Sequence, residues 1–276
     1  MEGFSGKVAV VTGAGSGIGR ALAVELARSG AKTAISDIDN EGLAETERQI
    51  KSLGGDVRSD RLNVAEREAF LLYADAIKEH FGTVNQIYNN AGIDFHGELE
   101  ASEFKDIERI IDVDFWGVVN GTKAFLPHLI ASGDGHVVNV SSIFGVMACP
   151  GQSSYNAAKF AVRGFTESLR QEMIIGKKPV AVTCVHPGGI KTNVARNATV
   201  AEGYDHAEFT KLFDMLARTR PQAAARIILT AVRKKKPRVL VGPDAKAIDI
   251  LVRLTGARYQ DLFVLGERFL MPKRSH

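Results

Sequence analysis

KVAVVTGAGSGIGR, residues 7–20, decides the architecture. Lys7–Thr12 is a short apolar run of the kind a strand needs when helices cover both its faces. Glycines follow at 13, 15, 17 and 19, and Ile18–Ser29 then shows helical periodicity. A buried strand that passes through a glycine turn into a helix opens a βαβ unit.

Working outward, the same alternation continues. Lys32–Ser36 reads as a second strand, and Glu41–Leu53 as a helix whose Gly54-Gly55 end suits a C-cap. Asp56–Leu62 is a weaker strand before a helix at Glu66–His80. Val84–Tyr88 is a strand, and Phe104–Ile130 reads as one long central helix. His136–Val140 and Val180–Val185 are strands flanking a helix at Tyr155–Ile174. A helix over Gln222–Arg233 leads to a last strand, Arg238–Val241. Strands of five or six residues alternating with helices imply an α/β fold, a doubly wound parallel sheet of Rossmann type. With 276 residues the expectation is one domain. Residues 1–243 would form its body, and 244–276 a helical C-terminal extension.

Composition narrows the class. Hydrophobic residues make 45% and charged residues 24%, and the net charge of +3 is too small to argue for nucleic acid. One dense basic run, Arg233-Lys234-Lys235-Lys236-Pro237-Arg238, reads as a solvated helix end. Cys149 and Cys184 share no metal-ligand spacing, so reduced buried thiols and no metal site are expected. The first residues do not read as a signal peptide, and no apolar run is long enough to span a bilayer, so a cytoplasmic setting is expected.

The glycine turn carries the first chemical expectation. Gly13, Gly17 and Gly19 allow a tight turn and a close approach of backbone to a pyrophosphate at the helix N-terminus, with Ser16 and Ile18 in the same cradle. The spacing departs from GxGxxG, but the turn lies where the first strand meets the first helix. Asp37 ends the second strand 18 residues beyond Gly19, where an acidic residue binds the adenosine ribose hydroxyls. Its charge would repel a 2′-phosphate, and positions 16 and 38 hold no Arg or Lys to offset that, so NAD is favoured over NADP.

Taken in order, Thr12–Gly19, Asp37, Asn89-Asn90-Ala91-Gly92, Ser142, Tyr155-x3-Lys159 and Pro187-Gly188 with Thr192 resemble the short-chain dehydrogenase/reductase family over nearly all of residues 5–242. The resemblance implies a homodimer or homotetramer acting on alcohols and ketones. Tyr155 would be the general acid/base. Lys159, one helical turn on, would lower the phenol's pKa and bind the nicotinamide ribose. Ser142 would hold the substrate oxygen; Ser141 is the neighbouring alternative, and strand alternation turns only one of the two to the site. Asn90, Ala91 and Gly92 would border the adenosine, and Asn63-Val64 stands where the family has Asp-Val against the adenine amine. Pro187, Gly188, Ile190 and Thr192 would border the nicotinamide carboxamide.

Two departures stand out. Asp114 occupies the place of a family asparagine in a proton relay behind the lysine; a carboxylate there would stabilise the lysine's charge and shift the pH profile. It is also the one residue that favours a catalytically weak NAD-binding scaffold or sensor over an enzyme. The tail Ala245–Leu254 and Gln260–Leu270, ending in Pro272-Lys273-Arg274, reads as a lid, a subunit contact or a surface helix in peripheral contact with a membrane. The substrate pocket is expected from Asp94–His96, Phe144–Cys149, Gln152 and residues 193–217. Phe95, Phe144, Val146, Met147, Phe209, Leu212, Phe213 and Met215 make it apolar, suited to a hydrophobic secondary alcohol or ketone, with His96 read as an ordinary loop residue.

Overall fold

The computed structural model describes residues 3–194 and 196–267. Its elements run β1 (Val8–Thr12), α1 (Gly17–Arg28), β2 (Lys32–Asp37), α2 (Asn40–Ser52), β3 (Val57–Arg61), α3 (Arg67–Phe81) and β4 (Gln86–Asn89). After a two-residue strand β5 (Phe95–His96) come α4 (Phe104–Ile111), α5 (Gly117–Ala131), β6 (Gly135–Val140), α6 (Ser153–Ile175) and β7 (Val180–Pro187). A second short strand β8 (Thr199–Val200) precedes α7 (His206–Leu216), α8 (Pro221–Arg233), β9 (Arg238–Val241), α9 (Pro243–Thr255) and α10 (Tyr259–Glu267).

Seven strands form a parallel sheet in the order β3-β2-β1-β4-β6-β7-β9. The order reverses between β1 and β4, which opens a crevice at the carboxyl ends of those two strands. Period-2 alternation splits β1 between two cores: Ala9 and Val11 pack with Leu22, Leu26, Ile228 and Leu229, while Val8 and Val10 pack with Phe70, Ile77, Phe125 and Leu129. That explains why the strand reads as an unbroken apolar run. Edge strand β3, with the sequence VRSDR, is only partly buried and ties its own charges in an Arg58–Asp60 pair at 2.9 Å.

The expected helix Phe104–Ile130 is interrupted. Asp112–Trp116 widens into a π-helical turn in which the Gly117 amide donates to the carbonyl of Asp112, five residues back. The extra residue accompanies an Asp114 side chain that is fully buried against Lys159, where an aspartate on an ordinary helix surface would stay in water. Gly117 is needed because a Cβ there would lie 2.7 Å from Val64. The short pair β5–β8, Phe95 with Thr199 and His96 with Val200, lies outside the main sheet and is too brief to leave a pattern in sequence.

The extension packs onto the body. Ala245, Ile248 and Val252 of α9 join Ile143, Phe144 and Val146 in one apolar cluster, and the Ala148 amide donates to the Tyr259 hydroxyl at 2.9 Å. The end of the expected tail, residues 268–276 with Pro272-Lys273-Arg274, lies outside the described residues. Among the described residues no helix is long and apolar enough to cross a membrane.

Candidate active site

The crevice between β1 and β4 is walled by the glycine turn. Gly13 and Gly17 have φ of +65° and +52°, which favours glycine at both. A Cβ at Gly19 would fall 2.0 Å from the Gly13 carbonyl, and one at Gly13 would fall 2.7 Å from Ala91. The turn is therefore closed on itself and on the Asn90-Ala91 segment. Thr12 Oγ1 accepts from the amides of Asn90 and Ala91 at 3.0 and 3.1 Å, and Asn90 Nδ2 donates to the Thr12 carbonyl at 3.0 Å. Ser16, the N-cap of α1, is extended and makes no capping bond, and the helix has no acid in its first turn. That leaves a positive helix end framed by glycines, which suits a pyrophosphate.

Asp37 stands beside this turn, with Oδ2 accepting from the Gly15 amide at 2.8 Å and Oδ1 from the Asp39 amide at 3.0 Å. Sequence reading missed Arg20, which fastens the turn to α2 through the carbonyls of Gly15 and Gly42 and through Thr46 Oγ1 at 2.9 Å. Nothing marks it beyond its place after Gly19. Thr192 comes from the far side of the crevice to face Gly17: a Cβ on Gly17 would touch its side chain at 3.0 Å. Ile190 bridges to Thr219, using the Lys191 amide and the Gly189 carbonyl. The Gly189 amide donates to Asp244 Oδ2 at 2.6 Å, so the first turn of α9 clamps the Pro187–Thr192 loop.

Asn63 sits in the turn before α3. Its Oδ1 accepts from the Ala65 amide at 3.2 Å and its Nδ2 donates to Glu66 at 3.0 Å, so the side chain is engaged in the turn that opens α3. Val64 is buried, and its carbonyl accepts from Asn120 Nδ2 at 3.0 Å.

Ser142, Tyr155, Lys159 and Asp114 converge at the carboxyl end of β6. Strand alternation separates the two serines: Ser141 Oγ donates to the Lys159 carbonyl at 2.8 Å, while Ser142 is turned toward Tyr155, whose pKa it lowers, and accepts from the Phe144 amide at 3.1 Å. Lys159 Nζ lies 2.8 Å from Asp114 Oδ2 and 5.3 Å from the centre of the Tyr155 ring. Asp114 Oδ1 accepts from the Ile93 amide at 2.8 Å. Both charges of the pair are buried. Gly92 is the floor: a Cβ there would sit 3.3 Å from both Asp114 oxygens and from Lys159 Nζ.

The expected lowering of the Tyr155 phenol is reversed in this arrangement. Protein surrounds the ring closely enough for burial to push its pKa well above the ordinary 10; the carboxylates of Asp94 and Asp114 push the same way, and only the Ser142 hydrogen bond opposes them. Lys159 is near, but Asp114 balances its charge at contact distance. Burial pushes Asp114 up as well, against the pull of the Lys159 ammonium and the Ile93 amide.

Asp94 gains a role that its sequence position did not mark. It is buried, accepts from the Phe95 amide at 2.8 Å and from Gln152 Nε2 at 3.0 Å, and burial above all holds its carboxyl at about 7. Gln152 thus positions Asp94 from the start of α6. Phe144 meets Tyr155 edge-on at 6.2 Å, and Phe95 and Met147 are buried nearby in sequence on β5 and after β6. His96 is no ordinary loop residue: it is buried, stacked on Phe209 at 4.8 Å and edge-on to Tyr204 at 5.3 Å, and burial lowers its pKa. Val146 packs with the extension instead of a pocket, and Met215 is exposed.

Comparison with known proteins shows the family. The short chain dehydrogenase family model matches residues 7–203. The chain is 64% identical over 273 residues to the Mycobacterium tuberculosis protein named "Putative oxidoreductase SadH", covering 99% of each. It is 35% identical over 228 residues to cyclohexanol dehydrogenase of an Acinetobacter species, covering 82% of this chain and 87% of that one. Among solved structures, a short chain dehydrogenase/reductase from Burkholderia phymatum in complex with NAD superposes with a TM-score of 0.86 over the full length of both chains, at 29% identity. The chain belongs to the short-chain dehydrogenase/reductase family of oxidoreductases.

Proposed function

We propose that the chain transfers a hydride between NAD(H) and a hydrophobic secondary alcohol or ketone, with Ser142, Tyr155 and Lys159 as its catalytic residues. The observation that carries this reading is the buried Lys159–Asp114 pair at 2.8 Å, with Lys159 Nζ 5.3 Å from the centre of the Tyr155 ring and Ser142 just beyond the end of β6. A bound nicotinamide supplies or accepts the hydride. Ser142 Oγ holds the substrate oxygen against the phenol. In reduction Tyr155 gives its proton to that oxygen, and in oxidation it takes the proton back. The surroundings that hold the phenol protonated favour its acid form, the one ketone reduction needs.

The uncapped N-terminus of α1 is suited to the pyrophosphate, and Asp37 to the adenosine ribose, which favours NAD over NADP. Phe95, Phe144 and Met147 would give the substrate pocket an apolar lining, and Gln152 bonded to Asp94 would add one polar wall. Phe104, Trp116 and Phe160 are large and exposed on the outer face of α4, the π turn and α6, which supports a homo-oligomer. The body as one catalytic unit over 1–243, with 244–276 as its extension, fits the packing of α9. The test is a cofactor-reduction screen with NAD and NADP across secondary alcohols from short diols to steroids. Turnover with NAD on apolar alcohols is expected; no turnover with either cofactor, in a protein that binds NADH, would favour the scaffold reading.

A further inference from the structure

A second charged feature lies away from these residues. A cleft of about 500 Å³ opens between α8, β9 and α9. Arg226, Lys236, Arg238, Lys246 and Arg253 line it, and Asp249 is its one acid. Two of the cations come from the basic run at 233–238, so that run is more than a solvated helix end. None of the proposed catalytic or cofactor residues contributes.

The cations are unevenly answered. Arg226 reaches Glu25 at 3.5 Å, Arg253 reaches Asp249 at 2.8 Å, and Arg238 pairs with Glu167. Lys236 and Lys246 have no ion-pair partner among the described residues. The backbone of Lys236 is fixed, its amide donating to Ala231 at 3.0 Å and its carbonyl accepting from Thr183 at 2.7 Å. Two lysines with no ion-pair partner therefore line one cleft, and an anion bound there would gain charge-assisted hydrogen bonds from their ammonium groups.

The walls are apolar where they are not charged, through Ile227, Val239 and Leu240. At the mouth, α9 carries Lys246, Ile250, Arg253 and Leu254 at i, i+4, i+7 and i+8, which is a single helical face. Ile250 is 57% exposed and Leu254 81%. A basic edge beside an apolar strip is the pattern by which helices take hold of anionic amphiphiles.

We propose that this cleft and the outer face of α9 bind an anionic amphiphile, a phosphate group between Lys236 and Lys246 with a hydrocarbon chain along Ile250 and Leu254. A phospholipid in a bilayer and a free alkyl phosphate share that chemistry. The proposal does not depend on the hydride-transfer reading.

Calorimetric titration with dodecyl phosphate below its micelle concentration tests it, beside inorganic phosphate and flotation with phosphatidylglycerol or phosphatidylcholine vesicles. Dodecyl phosphate is expected to bind. The Lys236→Ala/Lys246→Ala double variant should weaken it at least about tenfold, and Leu254→Ser should weaken it without changing the response to inorganic phosphate. Flotation with phosphatidylglycerol alone assigns the site to membrane lipid; dodecyl phosphate binding without flotation assigns it to a free ligand. Unchanged binding in the folded double variant, judged by its melting curve, overturns the proposal. So does no binding of either probe, or a double variant that falls apart from an oligomer to monomers, which would give the cleft to a second copy.

Discussion

The two sides of the site are built by different means. On the cofactor side backbone supplies one partner of most contacts: glycines at 13 and 19 close the turn, and the amides of Asn90 and Ala91 hold it to Thr12 Oγ1. On the proposed substrate side they are made by side chains that only the fold brings together: Asp94 from the loop after β4, Gln152 from the start of α6, and His96 against Phe209 of α7. A backbone cradle tolerates almost no change at its glycines. A side-chain wall can be altered one group at a time, and this is where relatives of one fold acquire different substrates.

The sharpest way to separate the two sides is Tyr155→Phe. Turnover should fall about 10³-fold while NADH affinity, followed by fluorescence titration, stays nearly constant. An equal loss in both would mean that the phenol serves binding and that the comparison fails. Next in size is Gly19→Ala, whose methyl would collide with the Gly13 carbonyl and Asn90 Nδ2. A loss of about 1–3 kcal/mol in stability by chemical denaturation, together with weakened NADH binding, is expected. Full stability in that variant would show that the turn is looser than its contacts imply.

Asp37→Ala tests the cofactor side through charge alone. The ratio of kcat/KM for NAD over NADP should narrow by about tenfold, because the carboxylate that repels a 2′-phosphate is gone. Asp114→Asn probes the seam between the sides. Removing a carboxylate that pushes the Tyr155 phenol up should move the alkaline limb of the pH–rate profile to lower pH by about one unit. An unchanged profile would take Asp114 out of the proton relay.

The smallest effect concerns the proposed substrate wall. Folded Asp94 titrates near 7 instead of 3.8, so between those values the folded protein keeps a proton that the unfolded chain has released. Stability from this group therefore drops as pH rises from about 4 to 7. Asp94→Asn cannot titrate, so its melting temperature should gain on the parent through that window and then level off. His136 and His186, which burial pushes down to about 4, give the opposite slope in both proteins and cancel from the difference. A constant gap would mean that Asp94 is ionised across the range.

The same contrast explains what the sequence made legible. Strands buried on both faces must be apolar throughout, and a turn that admits no Cβ must be glycine, so β1, the cradle and the sheet class are written locally. The π turn at Asp112–Trp116 is not, because it accompanies an aspartate buried against a lysine 45 positions on. The strands β5 and β8 are two residues each and carry no period. Tyr155 and Ser142 could be found by spacing, but the direction of the phenol's shift could not. That depends on Asp94 and Asp114, whose burial is decided by the whole fold. The bonds of Asn63 are unwritten for a related reason: the turn at the start of α3 offers its side chain two near partners.

Asp244 gives the extension a meaning for protein engineering. Its carboxylate accepts from the Gly189 amide and fills the space where a Gly188 side chain would stand. Residues 187–192 and the first turn of α9 are thus one transplantable module with a break in the chain between them. A loop exchanged from a relative without its matching partner at 244 would arrive unsupported, and a chain shortened to residue 243 would lose the clamp on a loop fifty residues upstream.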